Sequence, residues 1–242
     1  MKLKNQTDVI QLERWTGCCF LAVTIMFTLL TTSAVAQSAE FLPQINVSEK
    51  VTSSIRLSFQ AKKTRENGDP AQEEVGPSID FFLKPMVNLR KLNRHDLDKS
   101  KSRALVLSFG YRYVASVNAA TVNRVITQAT YNLPLKDKLL ISNRNRGELN
   151  FSNGTLNWRY RNRSTLQRVV TLHSYHVTPY AGAEFYYTET YDKWSSTALT
   201  AGALCPLGKH TQIDTYYEHE NNTGKKPNKQ INAIGVILNL NF

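Results

Sequence analysis

From Val51 to the carboxyl terminus, apolar and polar residues alternate with a period of two in one segment after another. In the first, Val51, Ile55, Leu57 and Phe59 share one face, with Thr52, Ser54, Arg56, Ser58 and Gln60 on the other. Ile79, Phe81, Leu83, Val87 and Leu89 oppose Asp80, Lys84, Asn88 and Arg90 in the second. Leu105, Leu107, Phe109, Tyr111 and Tyr113 oppose Ser108, Gly110 and Arg112 in the third. The fourth (124–133) sets Val125, Ala129 and Tyr131 against Arg124, Gln128 and Thr130, and the fifth (139–148) aligns Ser142, Arg144, Arg146 and Glu148. The sixth is the cleanest, with Leu156, Trp158 and Tyr160 between Asn157, Arg159, Arg161 and Arg163. Segments seven (178–189), eight (197–205) and nine (211–219) are blurred by Ala181, Ala183, Ala201 and Ala203. The tenth, Ile231–Phe242, carries Ile234, Val236, Leu238, Leu240 and Phe242 on one face.

Such alternation predicts strands, and each segment has roughly the 9–12 residues that a tilted strand needs to cross hydrocarbon. A sheet in lipid cannot leave an edge, because unpaired backbone groups there cost several kcal/mol each. The expected fold is therefore all-β: a transmembrane, antiparallel, up-and-down β-barrel of about ten strands, with eight to twelve compatible with the blurred segments. An apolar strand ending in an aromatic residue is how bacterial outer-membrane barrels finish, so Phe242 is the expected assembly signal. With that terminus periplasmic, the similar turns at 131–138 and 204–210 fall on the periplasmic side. The polar stretches 62–76, 190–196 and 220–230 become outer loops. A soluble exported barrel is the alternative, and it would turn its apolar face inward and its arginines outward.

The amino terminus is read as an export signal over residues 1–36, with the barrel domain at 37–242. Lys2, Lys4 and Arg14 precede an apolar run from Cys18 to Leu30, and Ala34-Val35-Ala36 forms a small-residue cleavage site before Gln37. The run is shorter than the roughly 20 residues of a membrane-spanning helix. Asp8 and Glu13 are unusual in such a leader, and Cys18 precedes the apolar run, which argues against a lipoprotein.

Mean hydropathy is −0.37, which by itself would suggest a soluble protein, but barrel strands hide from hydropathy because only alternate residues face lipid. The formal net charge is +11, and removing residues 1–36 takes away three basic and two acidic groups. Nucleic acid is excluded as a partner by compartment. The expected partners are outer-membrane lipids, lipopolysaccharide and the barrel-assembly machinery. Cys205 alone remains after the leader, so no internal disulfide is expected.

From Ile141 onward, 142–148 (Ser-Asn-Arg-Asn-Arg-Gly-Glu), 157–163 (Asn-Trp-Arg-Tyr-Arg-Asn-Arg), Thr178-Pro179-Tyr180, 191–194, 206–210, Tyr216-Tyr217 and the terminal strand together resemble a family of bacterial outer-membrane proteins known as domain of unknown function 2490 (DUF2490). This resemblance is thin before Ser108. The resemblance implies a barrel and brings no catalytic residues.

The strongest local signal is a cluster of charge: Arg144, Arg146, Arg159, Arg161 and Arg163 should share the lumen of two adjacent strands with Glu148 and Glu184. It reads either as an electropositive interior that attracts anions, since guanidinium binds oxyanions bidentately, or as an ion-pair network with Glu148, Glu184, Asp214 and Glu218 that plugs the barrel. A structural or passive small-solute role follows. A lipid-modifying hydrolase is the runner-up, with His219 oriented by Glu218 or Glu220 and Ser195 or Ser196 as nucleophile. His173, His176 and His210 fall in periplasmic turns. No spacing assembles three or four metal ligands, so no catalytic residue, metal or cofactor is expected. Tyr111, Tyr113, Trp158, Tyr160, Tyr186, Tyr187, Trp194, Tyr216 and Tyr217 are expected as interfacial girdles, and the basic stretch 91–103 at the periplasmic surface facing anionic lipid heads. Phe242→Asp should deplete the folded outer-membrane form, measured by comparing boiled and unboiled gel mobility; a normal amount of heat-modifiable protein would refute the barrel reading.

Overall fold

The computed structural model describes residues 37–242 except 93–95, 173, 174 and 225; the leader lies outside the described residues. Twelve strands form one sheet: β1 (Gln37–Lys50), β2 (Ile55–Glu66), β3 (Asp69–Pro85), β4 (Arg103–Ser116), β5 (Ala119–Pro134), β6 (Leu139–Ser152), β7 (Thr155–Arg168), β8 (Val170–Leu172), β9 (Tyr175–Thr188), β10 (Lys193–Leu207), β11 (Thr211–Asn222) and β12 (Lys229–Asn241). The short β8 keeps the β7 register against β9 across a break at Val169, so the two act as one wall element. Neighbouring strands pair all the way round, through β9–β10 and β12–β1, and the barrel closes with eleven strands.

The additional strand is β1, which the alternation left unassigned. It runs parallel to β12, from Gln37 opposite Gln230 to Ser48 opposite Asn241, and antiparallel to β2. Its faces do alternate, Phe41, Ile45 and Val47 outward and Gln44, Asn46 and Ser48 inward. Pro43 interrupts them, and proline argues against a strand because it cannot donate to the ladder. An odd number of strands leaves Gln37 and Phe242 at opposite ends of the barrel. Phe242 is pinned at the seam, where its N–H donates to Ser48 O at 2.9 Å and its carbonyl accepts from Lys50 N at 3.1 Å.

Two further boundaries differ from the sequence reading. Residues 62–76 are not a loop: β2 and β3 continue to a two-residue turn at Asn67-Gly68, with φ of 51° and 92°. Asn153-Gly154 repeats the device at β6–β7, with φ of 48° and 74°. Left-handed conformation at both central residues matches the twist of a hairpin, and Asn-Gly tolerates it best. Conversely, the second segment stops at Pro85, and 87–92 forms a helical turn, α1 (Val87–Leu92), that buries Leu89 and packs against β4 and β5.

The barrel is inverted relative to a soluble one. Leu57 and Phe59 are each 49% exposed on the outside, whereas the Glu148 and Glu184 side chains, inside, are 0% exposed. One stretch of the outer belt departs from this pattern. Asn143, Asn145, Asn162 and Ser164 face outward in mid-strand and satisfy one another: Asn162 Nδ2 donates to Asn145 Oδ1 at 2.8 Å, Asn145 Nδ2 to Asn143 Oδ1 at 2.8 Å and Asn143 Nδ2 to Ser164 Oγ at 2.9 Å.

The connection between β3 and β4 folds inward at the Phe242 end. Arg56 Nη1 lies 2.7 Å from Asp98, and Lys101 Nζ lies 2.8 Å from Asp96, which also accepts from Gln212 Nε2 at 3.3 Å. The basic stretch 91–103 therefore does not present all its charges to lipid heads: Lys101 and Lys99 are held by Asp96, and Arg103 donates to Ser53 O. Arg94 lies outside the described residues.

At the seam, Tyr180, Gly202, Tyr216 and Gly235 form one row across β9 to β12. The Tyr216 ring lies over Gly235, where an added Cβ would collide with it, and Tyr180 covers Gly202 in the same way. Leu42, Tyr216 and Ala233, with Tyr180 and Ile237, make a small apolar core inside the wall. Gly235→Val should displace Tyr216 and cost about 1–3 kcal/mol of overpacking, read as a lower urea midpoint of the refolded barrel. Burial alone would raise the Asp98 carboxyl, but Arg56 and Lys101 hold it well below the usual carboxylate range. A pKa depressed on folding contributes stability above the ordinary Asp value of about 3.9 and loses it only as pH falls through the folded value. Hydrogen exchange of 98–102 should therefore stay protected at about pH 3.9 in the native chain and become unprotected there in Asp98→Asn.

Candidate functional site: the arginine–glutamate lumen

Period-two alternation on β6 sends Arg144, Arg146 and Glu148 inward, and on β7 Arg159, Arg161 and Arg163. Their register is unfavourable for this hairpin alone: Arg144 lies opposite Arg163 and Arg146 opposite Arg161, with Glu148 opposite Arg159 the one complementary pair of the three. Like charges directly opposite destabilise a sheet, so neighbouring strands must supply the missing carboxylates.

They do so by sharing. Glu148 is approached by Arg159 Nη2 at 2.5 Å, Arg161 Nη1 at 3.2 Å, Arg146 Nη1 at 3.6 Å and Arg124 Nε at 3.8 Å. Glu184, from β9, takes Arg144 Nη2, Arg161 Nε and Arg163 Nε, each at 2.9 Å. Glu218 of β11 lies 3.0 Å from Arg163, and Glu74 of β3 lies 3.0 Å from Arg124 and 3.7 Å from Arg112. Tyr186 ties the centre together: its hydroxyl donates to Glu184 at 3.2 Å and accepts from Arg161 at 3.1 Å, while Arg161 stands 4.6 Å from its ring centroid.

The structure thus brings together all seven residues singled out from the sequence, Arg144, Arg146, Glu148, Arg159, Arg161, Arg163 and Glu184, and adds Glu74, Arg112, Arg124 and Tyr186. Glu74 escaped notice because its stretch read as a loop. Asp214 joins no arginine among the described residues; it accepts from the Tyr180 hydroxyl at 2.8 Å. Tyr186 and Tyr216 face the lumen and not the girdle, whereas Trp158, Tyr187, Tyr160 and Trp194 cluster on the outside, with Trp158 and Tyr187 stacked at 5.3 Å.

The residues considered for acyl transfer stand apart. His219 turns outward, Nδ1 at 2.8 Å from Asn232 Oδ1, while Ser196 lies inside, its hydroxyl donating to Glu220 at 2.5 Å. Ser195 bonds Thr188 Oγ1 at 2.7 Å. His210 stacks on Phe242 at 5.5 Å, and Thr171 Oγ1 lies 3.1 Å from His176 Nδ1; His173 and Ser174 lie outside the described residues. Among the described residues no three His, Cys, Asp or Glu side chains gather as a metal site. Between the arginine network and the inward-folded β3–β4 connection lies a cavity of about 520 Å³, bounded by Arg144, Arg146, Arg161 and Lys62 on the wall and by Asp98 and Lys101 of that connection.

The chain aligns with the β domain of the Bordetella autotransporter BrkA at 15% identity, over 78% of this chain and 82% of that one, with a TM-score of 0.43. No curated protein matches. The family described as "Protein of unknown function (DUF2490)" matches residues 43–231. The match therefore extends into the amino-terminal half, where the resemblance had been thin, and ends as β12 begins. With most of its length matched, the chain belongs to the DUF2490 family.

Proposed function

We propose that this chain is a bacterial outer-membrane barrel whose lumen is closed, with a structural and non-enzymatic role. The observation that carries the reading is the inversion of polarity: apolar side chains cover the outside, and the arginines with their carboxylates are inside. Water would not favour that arrangement, whereas hydrocarbon requires it. Nearly every wall strand has 12–17 residues, longer than the roughly 9–11 needed to cross a bilayer. The same inversion disfavours a soluble periplasmic binding barrel. The separation of His219 from Ser196 disfavours the hydrolase. The ion pairs across the lumen and the 96–102 plug favour a closed barrel over a channel, in keeping with the filled interiors of barrels near eight strands.

The cavity favours passage of small solutes as a second reading. Glu148→Gln separates the two. In a closed, dry lumen it leaves Arg159 and Arg146 without a carboxylate, while Arg161 keeps Glu184 and Arg124 keeps Glu74, and breaking a buried pair of this kind costs roughly 3–5 kcal/mol. The closed-barrel reading expects a lower unfolding midpoint and no conductance in planar bilayers. Unchanged stability with anion-selective steps would overturn it in favour of a small pore.

A further inference from the structure

Charge inside the barrel is unevenly distributed. The arginine network gathers Arg112, Arg124, Arg144, Arg146, Arg159, Arg161 and Arg163 around four carboxylates, Glu74, Glu148, Glu184 and Glu218. Among the arginines with the fewest hydrogen bonds are two neighbouring side chains of β6. Arg144 has one hydrogen bond, from Nη2 to Glu184, and its buried Nε has no partner. Arg146 has one, from Nε to Gln128 Oε1 at 2.9 Å, and its nearest carboxylate, Glu148, stands at 3.6 Å, beyond hydrogen-bond reach. Both line the cavity, as does Lys62 of β2, which lies in the field of Glu74 and Glu218 without a hydrogen bond or close ion pair to either. The cavity of about 520 Å³ has room for on the order of fifteen waters at about 30 Å³ each, ample for a phosphate group.

We propose that this chamber binds one small oxyanion of the phosphate class, held by Arg144 and Arg146 and faced by Lys62. A guanidinium presents paired N–H donors at the spacing of two oxyanion oxygens, and a charge-assisted bond of this kind is roughly twice as strong as a neutral one. Two arginines two residues apart on one strand project to the same side, so a tetrahedral anion can bridge them. The occupant supplies the negative charge that the wall lacks, and Gln128 and Thr130 line the same wall. The proposal rests on the closed membrane barrel proposed above. Its chemistry is shared by a free phosphorylated solute and by the phosphate of a lipid A headgroup.

The test uses mature protein refolded in detergent free of lipopolysaccharide. Inorganic phosphate is titrated at low salt by calorimetry, followed by diphosphoryl lipid A in a separate arm. The proposal expects one phosphate per barrel, with affinity reduced about tenfold or more in Arg144→Gln/Arg146→Gln and reduced also in Lys62→Gln, which leaves the ion pairs intact should the double variant fold poorly. Lipid A binding that phosphate displaces, and that the same substitutions abolish, assigns the headgroup as the source; phosphate binding alone assigns a free solute. A folded, heat-modifiable barrel that binds neither, or binds phosphate equally well in the variants, overturns the site and leaves the barrel standing. Protein that remains soluble without detergent and does not enter vesicles fails the barrel reading itself.

Discussion

The interior of this barrel depends on a few carboxylates shared among many guanidinium groups. The β6–β7 hairpin places Arg144 against Arg163 and Arg146 against Arg161, a pairing that repels until other strands arrive. Glu184 comes from the neighbouring β9 and Glu218 from β11, while Glu74 of β3 holds Arg124 of β5. Because β11 lies three strands from β7, the Arg163–Glu218 pair forms only once the wall has curved round. Electrostatics and closure are therefore one constraint. It also explains why Glu148 and Glu184 are the most deeply buried charged side chains: each must reach several partners at once, and an exposed carboxylate would give up that attraction to water.

Closure itself is made by an uncommon seam. Ten antiparallel strands would return both termini to one end, but β1 adds an eleventh and meets β12 in parallel. The arginine network reaches β9 and β11 through Glu184 and Glu218, and the seam itself is held by other interactions. Leu42 of β1 packs with Tyr216 and Ala233 instead, and the rings of Tyr180 and Tyr216 fold over glycines on the next strand. Small and large residues alternate across the four strands, which lets aromatic rings lie flat on the inner wall. The lumen is thus braced by charge on one side and by packing on the other.

How much of this was legible from the sequence varies by residue. Where faces contrast sharply, as at Leu156 to Arg163, strand and orientation both follow from period two. The lumenal arginines could be named for the same reason. Partners across the lumen could not, because contact between Arg163 and Glu218 or between Arg124 and Glu74 depends on curvature, which alternation does not encode. Asn67-Gly68 carried a hairpin signal that the surrounding charged residues obscured: Lys62, Glu74 and Lys63 read as loop when taken as a polar stretch, and as strand once the turn is placed. Pro43 hid β1. Tyr186 and Tyr216 sit beside outward-facing tyrosines in sequence, so only strand phase on β9 and β11 could have told them apart.

The two ends of the lumen differ in charge balance. At the Phe242 end, among the described residues, Asp80, Asp96 and Asp98 are matched by Arg56, Lys99 and Lys101; in the rest of the lumen arginine is in excess. The cavity touches both sets, so the field along the barrel axis points from a basic wall toward a balanced floor. An anion in the cavity would be drawn to β6, whereas a cation would be turned away from it. In a low-dielectric tube such a gradient is only weakly screened. The separation of charge therefore does more than cancel a total: it gives the interior a direction, set by which strands carry the arginines and by which connection folds back into the mouth.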